Sequence, residues 1–382
     1  MIQRLSTKGE HYFFGYYDLP AWDSTGQRHL AHKVPFTNKI PQAHDIAELG
    51  FFEAETQVFR KIAATKAWNF QQGAMLQWLP QSEDLMIFNT RQGAQYQAAI
   101  YDSHGQQTAQ LPAPIANVDP KGRFALSINF SRLLAFRPGY GYAGLPDPFA
   151  TQAQPEEDGI FRIDFDSNQK SLILSLKDLG ELCRPYFGTN KILVNHLNLN
   201  PSGTRFVALV RNFPTEPNTS NKTIAITANA DGSQAYILWD GGVASHYHWK
   251  TDTVISMVIK DDQGRITVAE FIDQTPNYTL LNPEFFLDDG HQSYSPDLKH
   301  LLYDSYPIDS QRDLYLYNLE TKKGCCLETL LSAPIDNSIA LETRCDLHPR
   351  WHPSGQRISF DSIHQGYRGI YTLNLNLKQP LS

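Results

Sequence analysis

The chain has 382 residues, 41% hydrophobic, 12% aromatic and 19% charged, with a formal net charge of −7. These are globular values that exclude a disordered chain and a helical membrane span, and the negative balance argues against a nucleic-acid binder, which shows itself as a basic face. Four cysteines, only Cys325 and Cys326 adjacent, are too few for a disulfide framework, and the start "MIQRLSTKGEHYFFGYYD" lacks the pattern of a secretory leader; a reduced cytoplasmic protein is expected, or a periplasmic one behind a leader outside this sequence.

In chain order, seven segments carry a Pro/Asp-x-x-Gly-like turn followed by an apolar, alternating run: "WDSTGQRHLAH" (22–32), "LPQSEDLMIF" (79–88), "VDPKGRFALSI" (118–128), "NPSGTRFVALV" (200–210), "WKTDTVISMVI" (249–259), "SPDLKHLLYD" (295–304) and "HPSGQRISFD" (352–361). Proline presets φ, glycine supplies positive φ, and the alternation after them suits a half-buried strand. Second strand pairs such as "AAIYDSHGQQTAQL" and "LYLYNLETKKGCCLETL" follow most of the turns. That makes about four strands per unit, at the unit length of propeller blades. The expectation is an all-β, seven-bladed β-propeller forming one domain over 1–382, with "TNKIPQAHDI" and "RPGYGYAGLPDPFATQAQPEED" as insertions. Unrelated hairpins in a β-sandwich are the alternative, but a sandwich has no need of the same turn seven times.

Five residues before the turn proline or its equivalent, the last four units carry His196, His246, His291 and His348, where the first three carry Leu19, Met75 and Ile115. The first strand of a propeller blade lines the central channel, so equivalent positions in consecutive blades are expected to face one another. Strand alternation puts His246 and His248 on one side and turns Tyr247 and Trp249 into the sheet packing. Three readings follow for the four histidines: satisfied structural groups, a metal-free acid/base cluster, or a divalent metal site, favoured because neutral imidazole is a common ligand. Cys345 and Asp346 lie close to His348 in sequence; a thiolate would favour zinc, a carboxylate would admit manganese. His352, in the turn itself, reads as a surface residue.

Arginine can clamp a carboxylate and tyrosine can donate a proton, which makes Arg132, Arg137, Tyr140 and Tyr142 of the third-unit insertion candidates, along with Arg184, Arg205, Arg211, Arg344 and Arg350. For any one of these arginines an ordinary ion pair is the plainer reading. No Gly-rich phosphate loop, Gly-x-Ser-x-Gly elbow or His-Glu-x-x-His is present.

At "GHQSYSPD" and "DLHPRWHPSG" the sequence resembles the oligogalacturonate lyases, seven-bladed propellers that bind manganese and cleave uronate-containing oligosaccharides by β-elimination; the propeller-type ulvan lyases are a looser likeness. The resemblance implies metal-binding roles for His291 and His348, and "SHYHW" matches a "THEFW"-like segment that gives His246 a catalytic role. The family's His-Pro-His-Pro becomes "DLHP", so Asp346 stands in place of one metal histidine, a glutamine ligand falls near Thr343, and a family arginine has no clean counterpart beyond Lys222.

The assembled expectation is a manganese- or zinc-dependent lyase acting on an acidic oligosaccharide or polysaccharide. His291, His348, Cys345, Asp346 and His248 are the metal candidates. His246 is the base, His196 the acid or a substrate contact, Arg211 or Arg137 the carboxylate clamp, and Tyr140 a proton donor. No membrane or nucleic-acid partner is expected, and oligomeric state is open. A non-catalytic TolB-like propeller and a metal-dependent hydrolase are the alternatives.

Overall fold

Four of the seven repeated turns fold around the same hydrogen bond, in which the glycine amide donates to the carbonyl three residues earlier: Gly26 to Asp23, Gly122 to Asp119, Gly203 to Asn200 and Gly355 to His352. The first residue also caps its own turn, as where Asn200 Oδ1 accepts from the amides of Thr204 and Arg205 at 2.8 and 3.1 Å. At Gly203, φ is 68° and a Cβ would strike the Asp119 carboxylate of the neighbouring turn, so both backbone and packing require glycine. His352 replaces the acid of the seventh turn. Its Nδ1 accepts from Ser354 N at 3.1 Å and its Nε2 lies 3.0 Å from Gly26 O, which gives it a capping role within the fold.

The computed structural model describes residues 1–214, 222–335 and 337–377. Among them the strands form seven four-stranded antiparallel sheets, and the chain is a seven-bladed β-propeller. The sheets fall into two compact units. One holds blades one, two, six and seven; in the seventh, Ile2–Arg4 pairs with Gly369–Asn374 as the outermost strand, Ile2 opposite Leu373. The other holds blades three, four and five.

Within each unit, blades meet through apolar faces: Leu302, Leu314, Ile358 and Phe360 form one such core, and Val207, Leu209, Tyr247, Trp249 and Met257 another. Burial of these faces is the main favourable term for a sheet packed on a sheet. A polar staple recurs beside it. In three repeats the tryptophan two residues before the turn proline or its equivalent donates its indole N–H to a backbone carbonyl of the preceding blade: Trp78 to Ala21 at 3.2 Å, Trp249 to Asn198 at 3.0 Å and Trp351 to Ser293 at 3.1 Å. The insertion of blade three begins with the helix Phe130–Phe136, capped by Asn129. Arg132 then gathers the carbonyls of Phe149, Gln152, Ala153 and Ile192, and so serves the loop and not a ligand.

Candidate metal centre

At the position five residues before the turn, the backbone takes positive φ at Met75 (53°), His196 (51°) and His348 (42°). Left-handed backbone at a non-glycine residue costs roughly 1–3 kcal/mol and marks a position whose side chain is being aimed. The strands Ile192–Leu199 and Ala244–Trp249 each carry a bulge that includes this position, with His196 and Leu197 opposite Ala208, and Ser245 and His246 opposite Val258. The repeat found in the sequence is thus also a repeat of backbone distortion.

In the four-blade unit, His291, Asp346 and His348 offer ligand atoms that all lie within 4.8 Å of one another, and all three are buried. The two Nε2 atoms are 3.2 Å apart, and His348 Nε2 is 3.9 Å from Asp346 Oδ2. Asp304, at the end of the strand His300–Asp304, fixes this geometry. Its Oδ1 accepts from His291 N at 2.7 Å and from His291 Nδ1 at 2.9 Å, and its Oδ2 accepts from His348 N at 3.1 Å. The carboxylate requires the proton of His291 on Nδ1, which leaves the lone pair on Nε2, facing His348. Burial, and next the neighbouring His291, push the His348 imidazole well below its ordinary pKa, so it is neutral and able to ligate.

Asp346 is held by two arginines. Arg312 Nη2 lies 2.5 Å from Oδ1, and Arg344 Nε lies 2.8 Å from Oδ2. Burial disfavours the Asp346 carboxylate, but the charges of Arg344 and Arg312 outweigh it and hold the group far below the usual carboxylate range. Oδ2 nevertheless accepts no well-directed hydrogen bond, a buried polar atom aimed toward the histidine pair. Two imidazoles and one such carboxylate fit a divalent cation of the manganese or zinc type. Asp304→Asn is expected to weaken cation affinity about 10–100-fold in a chelator-competition titration, because one amide orientation sets an N–H against His348 N–H and the other against both donors of His291.

Aromatic rings surround the pair. Tyr16 lies 5.0 Å from the His348 ring, Tyr17 lies 5.2 Å from the His291 ring, and Arg344 donates to the hydroxyl of Tyr140 at 3.1 Å. Tyr140 is thereby joined to the Asp346 network. Cys345 lies outside the three-donor cluster: its Sγ is 3.9 Å from the carbonyl of Asp346, and burial pushes its thiol up to about 11.

Arg350 and Tyr142 apart, the remaining candidates belong to the three-blade unit. His246 Nδ1 donates to Asp289 at 2.9 Å, His196 stacks on Tyr247 at 4.2 Å, and His248, Arg211 and Arg137 are half-buried. Tyr247 and Trp249 are buried in the apolar core, as the alternation requires. Arg205 is committed to Asp273, Asn229 and Thr227, Arg350 to Asp361, and Arg184 to Glu181. Asp304 and Asp289 were not singled out from the sequence. For Asp304 a signal existed, since the sixth and seventh repeats both carry an acid after the apolar run of their second strand, "LLYD" and "ISFD".

No family model matches the chain, and no curated protein matches it in sequence. Its fold is shared with solved structures. Oligogalacturonate lyase in complex with manganese aligns with a TM-score of 0.71 at 12% identity, over 99% of this chain and 93% of that one. A puromycin-hydrolyzing peptidase from Mycobacterium tuberculosis aligns at 0.57 and 10% identity, over 96% of this chain and 55% of that one. Oligogalacturonate lyase from Vibrio parahaemolyticus aligns at 0.68 and 12% identity over 99% and 94%, so the chain is similar in fold, along nearly its whole length, to oligogalacturonate lyases.

Proposed function

We propose that this protein is a metal-dependent lyase that cleaves a uronate-containing glycan by β-elimination. The observation that carries the reading is the His291, His348 and Asp346 cluster, oriented by Asp304, in a fold shared with a manganese-bound oligogalacturonate lyase. A divalent cation bound there supplies positive charge that acidifies the proton α to a uronate carboxylate and stabilises the enolate-like charge left behind. His291 and His348 would hold the cation through Nε2 and Asp346 would add its Oδ2, while Asp304 keeps both histidines in register. The two positive charges of Arg312 and Arg344 equal in number the negative charges of Asp346 and Asp304, so a bound cation leaves this cluster net positive, which favours an anionic substrate.

His246 is proposed as the base that removes the proton, and His196 as the acid or a substrate contact. Arg211 or Arg137 is proposed to clamp the carboxylate, and Tyr140 to donate a proton. Incubation with uronate oligosaccharides is expected to raise near-ultraviolet absorbance as the C4–C5 double bond forms. His246→Ala is expected to slow that rise about 10²- to 10⁴-fold, the usual contribution of a positioned acid or base. Absence of any rise across uronate substrates would refute the lyase reading, and a fully active His246→Ala would remove the base assignment.

One observation favours a second reading. His291, Asp346 and His348 are only 1–2% exposed and Tyr16 and Tyr17 only 3%, whereas catalytic metals keep an open coordination position and structural ones are closed. A structural ion in a non-catalytic propeller that binds a glycan or protein accounts for such burial. In that case chelation lowers the melting temperature and no substrate gives an absorbance change.

A further inference from the structure

In a regular strand, neighbouring side chains point to opposite faces, so one carboxylate does not ordinarily bind two consecutive residues. Ser245 and His246 both bind Asp289 because the bulge sets the two of them opposite Val258 alone and breaks the alternation. Asp289 Oδ1 accepts from His246 Nδ1 at 2.9 Å, and its Oδ2 accepts from Ser245 Oγ at 2.9 Å. The serine oxygen is also 3.2 Å from His246 Nδ1. The His246 ring is buried, whereas the Asp289 side chain is 30% exposed.

This constellation is not a hydrolase triad. There the serine faces the ring nitrogen remote from the acid, whereas here serine and acid meet at the same nitrogen. What the cluster does determine is the tautomer. An ionised carboxylate only accepts, so Nδ1 must carry the proton and the basic lone pair is on Nε2. We infer that Asp289, itself steadied by Ser245, is a positioning residue that locks His246 in the Nδ1–H tautomer and presents Nε2 for proton abstraction. The catalytic half of this inference rests on the lyase reading; the tautomer half does not.

The test therefore has two readouts. In a long-range proton–nitrogen correlation spectrum of protein labelled at histidine, the signal absent from His246→Gln identifies the residue. Wild type is expected to show Nδ1–H with bare Nε2, and Asp289→Ala to shift His246 toward Nε2–H. Asp289→Asn, whose amide oxygen still accepts, is expected to retain the wild-type pattern. In the elimination assay, Asp289→Ala is expected to lose about 10²-fold in kcat with KM changed less than about threefold, and Asp289→Asn to recover most of that loss. An Nε2–H signal in wild type, or a tautomer unmoved in Asp289→Ala, overturns the inference whatever the activity. A shifted tautomer with unchanged kcat overturns the positioning role. Absence of elimination by wild type overturns the lyase reading, and the spectrum still decides what Asp289 does.

Discussion

Wild-type protein is expected to retain a stoichiometric divalent cation through purification, and His291→Ala and His348→Ala are each expected to bring the metal content close to zero. Among the described residues the cluster offers three donors within 4.8 Å, so either substitution removes one of the two nitrogen ligands. Loss of an outer hydrogen-bond partner alone weakens metal sites about 10–100-fold, so loss of a ligating atom should exceed about 100-fold. Elemental analysis of the three proteins checks this. Metal-free wild type, after dialysis against manganese and zinc in turn, would dismiss the metal centre and leave the non-catalytic propeller as the better reading. Retention in His348→Ala alone would move the site elsewhere.

Asp346→Ala is expected to cost about 3–5 kcal/mol in urea unfolding, more than either histidine substitution costs the metal-free protein. Removing one partner of a buried ion pair leaves the other charge uncompensated. Here the orphans are Arg312 and Arg344, whose side chains are 1% and 3% exposed. Their remaining partners are neutral: Ser305 O and Ser332 Oγ for Arg312, Leu341 O and the hydroxyls of Tyr140 and Tyr306 for Arg344. The pH dependence follows from the depressed folded-state pKa of Asp346. Its contribution is fully present above the unfolded value of about 3.9 and is lost only as pH falls through the lower folded value, so what this pair adds to wild-type stability is constant between pH 5 and 8. An Asp346→Ala protein as resistant to urea as wild type would mean that the arginines find other compensation.

The blades were legible in the sequence because their turns are local. A glycine with positive φ and a capping Asp or Asn leave a signature within six residues, and the signature or a degenerate form of it recurs with each blade. His291 and His348 were legible because a repeat converts spacing into position. The acids that orient the histidines were not. Asp304 acts across the turn of its own blade on His291 and across a blade boundary on His348, while Asp289 reaches a bulge far from it in sequence. Neither contact has a fixed spacing. Cys345 and Asp346 could not be separated on paper, because adjacent residues in an irregular segment have no set alternation; the fold turns the carboxylate toward the histidines and the thiol against a carbonyl. The tryptophan staple had a signal, an indole two residues before the turn in four repeats, which becomes meaningful only once the acceptor on the preceding blade is known.

The pairing of Ile2–Arg4 with Gly369–Asn374 has a consequence for biosynthesis. At about 5–20 residues per second, roughly 20–70 seconds separate the emergence of the two strands from the ribosome. Earlier blades can pair their own four strands as they appear, but residues 2–4 must wait, with unpaired backbone groups, until Gly369–Asn374 has been made. During that interval the segment is open to the wrong sheet edge, in the same chain or in a neighbour. The slow, concentration-sensitive step of folding is therefore expected at this one seam, and a strand-disrupting proline at Gln3 should lower the yield of folded protein far more than it lowers the stability of molecules that have already closed.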